Sequence, residues 1–279
     1  MKRPLTSLLA TVTVALTMVF GAVPAPANAV TPGVRYAAVG DSYAAGTGTA
    51  PDAAAPCFQS LTSYPNRLAA YAGLASASFV NVTCSGATTA DVPAELGMAG
   101  DLSGFSQVTV TIGGNDLGFG AALQSCAADA QSCQTALATA ATKLSTITAS
   151  VTKAIGQIRQ AAPRARIFVT GYPLLFGSFS SATCDVGGGV QVPKAVASTI
   201  NGITGTLNLS IASAVSRAQL KGDLNVRFVP VAPSFYGHGL CDRGTAWING
   251  VRTPLHQSFH PNADGEGAYY ATLRFAGAV

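Results

Sequence analysis

Three residue types that together can cleave an ester occur far apart in the chain, each in a distinctive local setting. Ser42 lies in Gly40-Asp41-Ser42, Asn115 in Gly113-Gly114-Asn115-Asp116, and His260 in Ser258-Phe259-His260-Pro261. A serine hydroxyl is a poor nucleophile until a neighbouring base takes its proton, and the negative intermediate that follows needs donors already in place. His260 supplies a base and Asn115 an amide donor. Gly86, in Ser85-Gly86-Ala87, adds a backbone N–H that a substrate can approach closely. Singly, each motif reads more simply: a turn, a capped glycine-rich loop, a surface histidine. His256 and His238 are the only other histidines, and each has a structural reading.

The elements around these residues would bring them together. Tyr36 to Val39 is a short apolar run ending in the serine turn, and Val108 to Ile112 is a similar run ending before Asn115. Further strands are expected at Phe79 to Cys84, Arg166 to Thr170 and Val226 to Val231. From Leu137 to Ile158 the apolar residues recur at helical steps, and Pro163 closes that helix. A second helical pattern runs through Val196, Ile200, Ile203, Leu207 and Ile211, interrupted by Gly202 and Gly205, with Gly222 as its cap. A last helix is expected from Asp264 to Phe275, and Thr47 to Ser60, Leu117 to Thr135 and Phe176 to Val192 read as loops. Strands alternating with helices predict a mainly parallel three-layer α/β fold, whose ligands gather beyond the carboxyl ends of the strands.

Composition limits the alternatives. Residues 1–29 carry Lys2 and Arg3, an apolar stretch from about Leu5 to Val23 and then Ala27-Asn28-Ala29, the plan of a secretory signal peptide. The mature chain, residues 30–279, is expected to form one catalytic domain and to be secreted. Removing Lys2 and Arg3 lowers the formal charge from +4 to +2, and no basic run remains to attract nucleic acid. The cysteines Cys57, Cys84, Cys126, Cys133, Cys184 and Cys241 form an even set, which in an exported chain points to disulfides. Their number alone leaves about fifteen complete pairings open. No Cys-x-x-Cys or zinc-spaced histidine is present, so neither metal nor cofactor is expected.

Taken together, Val39-Gly40-Asp41-Ser42-Tyr43, Thr111-Ile112-Gly113-Gly114-Asn115-Asp116 and Phe259-His260-Pro261-Asn262 resemble the GDSL, or SGNH, hydrolases, particularly secreted actinobacterial lipases and esterases. The resemblance covers essentially the whole mature chain. It implies a flavodoxin-like α/β/α sandwich with a five-stranded sheet, a Ser42–His260 pair, and an oxyanion hole of the Ser42 N–H, the Gly86 N–H and the Asn115 amide. It also implies cysteines paired in chain order, Cys57–Cys84, Cys126–Cys133 and Cys184–Cys241. Many family members carry an aspartate three residues before the histidine, where this chain has Gln257. The orienting group is therefore expected to be the Ser258 carbonyl, which can fix the histidine tautomer but stabilises imidazolium less than a carboxylate does.

The expected activity is hydrolysis of fatty-acyl esters by a monomer, with at most transient contact with a lipid surface. A phospholipase A or an acyltransferase would use the same pair, a carbohydrate acetylesterase is a further alternative, and a non-catalytic binding protein would be expected to lack Ser42, Asn115 or His260. Lipid contact would fall to Leu117-Gly118-Phe119 or Leu174-Leu175-Phe176, for which core packing is the competing role.

Overall fold

The computed structural model describes residues 33–49 and 55–279; the signal peptide expected over residues 1–29 lies outside them. The chain runs β1 (Tyr36–Gly40), α1 (Ser42–Ala45), α2 (Tyr64–Tyr71), β2 (Phe79–Asn81), α3 (Val92–Ala99), β3 (Gln107–Thr111), α4 (Phe119–Ala128) and α5 (Ala130–Ala161). It continues with β4 (Arg166–Thr170), β5 (Thr183–Asp185), β6 (Gln191–Pro193), α6 (Lys194–Leu220), β7 (Val226–Val229) and α7 (Ala263–Phe275). Five strands form one parallel sheet in the order β2-β1-β3-β4-β7, and β5 and β6 form a separate antiparallel hairpin.

Every residue of β1 and β3 is buried, as expected of strands covered on both faces. The long helices α5 and α6 pack on each other over one face, where Val151, Ile147 and Leu207 surround the end of β3 at Gly113. On the other face α2 packs against α7, with Tyr64 stacked on Tyr269 at 5.4 Å and the Tyr64 hydroxyl bonded to Thr111. From β1 the chain steps outward one way to β2; from β3 it steps the other way through β4 to β7. A crevice opens between β1 and β3 where this order reverses, beyond the strand ends.

Several elements depart from the sequence expectation for identifiable reasons. Regular pairing in β2 ends at Asn81, whose side chain accepts from the Thr83 N–H and hydroxyl, yet Val82 and Cys84 still donate to β1 carbonyls. Strand β7 stops at Val229 because Pro230 has no N–H to continue the ladder. The segment Leu117 to Thr135 is not a loop: a 3-10 turn over Asn115–Leu117 passes through Gly118, in the left-handed region, into α4 and then α5. Gly118 marks the joint between the two helical segments, and the alanines and leucine that follow it are strong helix formers. Phe176 to Val192 includes the β5–β6 hairpin and is likewise not wholly irregular. Helix α6 runs unbroken through Gly202 and Gly205 to Leu220, with Lys221 as its cap and Gly222 beyond it at a φ of 96°.

The disulfides are Cys57–Cys84, Cys126–Cys133 and Cys184–Cys241, the pairing the resemblance implied. Cys57–Cys84 fixes the segment before Gly86, and Cys126–Cys133 joins α4 to the first turn of α5.

Candidate active site

Ser42 opens α1 immediately after β1. Asp41 is the N-cap, its carboxylate accepting the Tyr43 N–H at 3.0 Å. The turn has to be glycine at position 40: φ there is 128°, and a Cβ would run into the Thr111 carbonyl on β3. Among the described residues neither the Ser42 N–H nor the Gly86 N–H donates to another protein group. Both are therefore free to meet an oxyanion. Gly86 holds a φ of 88° after β2, in a segment tied down when Ser85 donates to the Cys57 carbonyl.

Asn115 follows β3. One hydrogen of its side-chain amide goes to the Ala87 carbonyl at 2.9 Å, which sets the amide plane and leaves the second hydrogen to point elsewhere. Asp116 bonds both the backbone and the hydroxyl of Thr89. The Asn115 and Gly86 segments are thus latched to each other.

His260 is delivered by the loop before α7. Its Nε2 lies 2.7 Å from Ser42 Oγ, and its Nδ1 lies 2.9 Å from the Ser258 carbonyl. With Nδ1 donating to that carbonyl, Nε2 is the acceptor for the serine proton. The loop is held from several sides. The Tyr43 hydroxyl donates to the Phe259 carbonyl at 2.7 Å, where Phe259 has a φ of 60°. Asn249 donates from its backbone to the His260 carbonyl and from its side chain to the carbonyls of Gly48 and Gln257. Asn262 then caps α7. Gly48 is a close approach: a Cβ there would stand 2.7 Å from His260 Cβ.

Burial lowers the His260 imidazole to a pKa of about 4, opposed by the Ser258 carbonyl and helped by nearby His256. At neutral pH the ring is uncharged, the form a base requires. Burial raises Asp41 to about 7, against the hydrogen bonds from Tyr172 and from the Tyr43 backbone. Glu95 of α3, which accepts the Gly40 N–H at 3.0 Å, is raised by burial to about 8, with the Asp41 carboxylate adding to the rise.

Ser42, Gly86, Asn115 and His260 all line one cleft of about 310 Å³. Its far wall is apolar, from Phe119 and Leu123 of α4, Leu207 of α6 and Pro173. His256 lines its mouth and stacks on Phe58 at 4.0 Å, while His238 lies flat on Trp247 at 3.6 Å. Leu117, Leu175 and Phe176 are core residues, Phe119 faces the cleft, and Leu174 is 38% exposed. Sequence reasoning missed Tyr43, Asn249 and Tyr172. Each touches the site through a backbone group or across elements, and nothing local in the sequence marks such contacts.

The sequence model of the GDSL-like Lipase/Acylhydrolase family matches residues 38–268. A lipase of Streptomyces rimosus is 33% identical over 243 residues, covering 84% of this chain and 83% of that protein. Lipase 1 of Streptomyces coelicolor is 32% identical over 248 residues, covering 86% of each. The crystal structure of the extracellular lipase of S. rimosus superposes with a TM-score of 0.76 at 31% identity, covering 87% of this chain and 99% of that one. That of phospholipase A1 from Streptomyces albidoflavus gives 0.77, with the same identity and coverage.

Proposed function

The chain belongs to the GDSL-like lipase/acylhydrolase family and is a carboxylic ester hydrolase, and from that premise we propose that it is a secreted enzyme that cleaves fatty-acyl esters through an acyl-enzyme on Ser42. One observation carries the reading: the continuous line from the Ser258 carbonyl through His260 to the Ser42 hydroxyl, at 2.9 and 2.7 Å. His260 takes the hydroxyl proton as Ser42 Oγ attacks the ester carbon. The oxyanion is received by the N–H groups of Ser42 and Gly86 and by the Asn115 amide. The alcohol leaves with the proton held on His260, and water, deprotonated in turn by His260, releases the acid and restores the serine.

The apolar wall of α4 and α6 favours an acyl chain over a sugar as the group bound beyond the carbonyl. The likeness to phospholipase A1 keeps a second reading alongside, in which the acyl bond belongs to a phospholipid. Export is supported by the leader-like plan of residues 1–29 and by three disulfides, which persist in oxidising compartments. The reading treats residues 30–279 as one catalytic domain.

The test is hydrolysis of an acyl series from acetyl to palmitoyl by the mature protein, with Ser42→Ala and His260→Ala as controls and a diacyl phosphatidylcholine as a further substrate. Rates that favour medium or long chains and vanish in both variants are expected. Turnover that survives Ser42→Ala would discard the acyl-enzyme.

A further inference from the structure

Tyr172 occupies a position that the reaction as described does not use. It follows β4 by two residues and lines the cleft while only 5% exposed. Its hydroxyl accepts the Gly114 N–H at 3.0 Å and donates to Asp41 Oδ2. The first group belongs to the residue before Asn115, and the second to the residue before Ser42. Burial and the neighbouring Asp41 carboxylate keep the phenol protonated well above its ordinary range, so the donor is always present. The ring stands edge-on to Tyr43, with centroids 5.1 Å apart, and Gly114 lets it approach, since a Cβ there would be only 3.3 Å from the phenol carbon and oxygen.

The other end of Tyr172 is clamped as well. Asn208, on α6, accepts the Tyr172 N–H at 2.7 Å and donates to its carbonyl at 2.8 Å. One residue thus joins three strand ends and one helix, and both bonds of its hydroxyl lead to residues that adjoin Ser42 and Asn115. A chain of donors Gly114 N–H to Tyr172 O–H to Asp41 carboxylate is cooperative, each bond polarising the next.

We propose that Tyr172 is a positioning residue for ester cleavage: its hydroxyl fixes the separation between the turn that carries Ser42 and the turn that carries Asn115, and Asn208 holds it in register. The inference rests on the roles proposed above for Ser42 and Asn115. Displacement of a reacting group by about 1 Å costs on the order of a hundredfold in rate, so the loss of a strut between nucleophile and oxyanion donor should appear in kcat.

The experiment is a double-mutant cycle on a butyryl ester, with active sites titrated by a fluorophosphonate so that kcat refers to folded, reactive enzyme. Tyr172→Phe is expected to lower kcat by about tenfold to a hundredfold, with KM changed by less than about twofold. In an Asn115→Ala background the same substitution should cost no more than about threefold, because its effect passes through Asn115. An unchanged kcat, a loss confined to KM, or a full additive loss in the Asn115→Ala background would overturn the proposal. Should Tyr172→Phe fail to fold, Asn208→Ala, which keeps the hydroxyl but releases its backbone, is expected to give the same non-additive pattern at smaller size, and additivity there overturns it equally. If Ser42→Ala still turns over, or Asn115→Ala is as fast as the parent, the functional reading fails instead, so the two failures are told apart.

Discussion

The strand-end side of the cleft is held by hydrogen bonds that cross between elements, whereas the α4 side is held by apolar contact and one covalent bridge. At the strand ends Asp41, Tyr43, Asn115, Tyr172 and Asn249 each bond a group from another segment, and most of them reach backbone. On α4, by contrast, no described side chain bonds another element; Ser125 bonds back within its own helix, and no side chain caps the helix start. Ala122 and Leu123 are buried, and Cys126 ties the end of the helix to Cys133. Hydrogen bonds fix direction and distance to tenths of an ångström, as bond-making requires. Apolar packing is nondirectional and scales with area, which suits the acyl-chain wall proposed above. Chemistry and selectivity are therefore expected to separate under mutation.

The hardest break of that separation is at the reacting pair. His260→Ala should lower kcat by about 10⁴-fold or more on every chain length, since a missing base cannot be offset by binding. Asn115→Ala should cost about 10²–10³-fold in kcat, again uniformly along the acyl series. On the other wall, Leu123→Ala should leave acetyl ester rates near those of the parent and lower kcat/KM for long chains by about tenfold or more, the scale of lost methylene contacts. A uniform loss from Leu123→Ala would mean that α4 also positions the chemistry and would erase the contrast.

Two pH measurements sharpen it. Because burial holds His260 at a pKa of about 4, the base stays neutral through mildly acidic solution, and kcat/KM should keep its plateau to about pH 5, falling with a midpoint near 4. An acid limb centred near 7 would show instead that activity follows Asp41, which burial raises to about 7. The smallest effect concerns stability. Glu95 binds its proton more tightly folded than unfolded, with a pKa of about 8 against 4.5. Folding stability therefore declines as pH rises from 4.5 through 8, where the unfolded chain has released the proton and the native chain has not. Glu95→Gln should flatten that part of the melting-temperature profile.

The two walls were also unequally legible in the sequence. Ser42, Asn115 and His260 announce themselves because each lies at the end of a short apolar run or just before a helix, and the geometry that joins them follows from parallel strands with a reversed order. The Ser258 carbonyl followed from a substitution in the familiar pattern, Gln257 in place of a carboxylate. In sequence the α4 wall has the look of a loop, because Gly118, Gly120 and a closely spaced cysteine pair interrupt its alanines. Local composition cannot show that Gly118 lies between two helices. Tyr172 and Asn249 leave no local mark for another reason: the Gly114 N–H and the Gly48 carbonyl that they bond lie 58 and 201 residues away, which no local pattern encodes.

The histidine loop, hung from Tyr43, Asn249 and Gly48, has a kinetic meaning. Ser42 and His260 are 218 residues apart, so their contact closes over most of the chain and carries the loop-closure cost of a non-local pairing. Helix α7, which follows His260, carries the fully buried Tyr269 and Leu273, so docking of the C-terminal segment completes the core and seats His260 against Ser42 together. Recovery of ester turnover during refolding is therefore expected to report the seating of His260 on Ser42, and stopped-flow comparison with recovered ellipticity checks whether that contact forms with the sheet or after it.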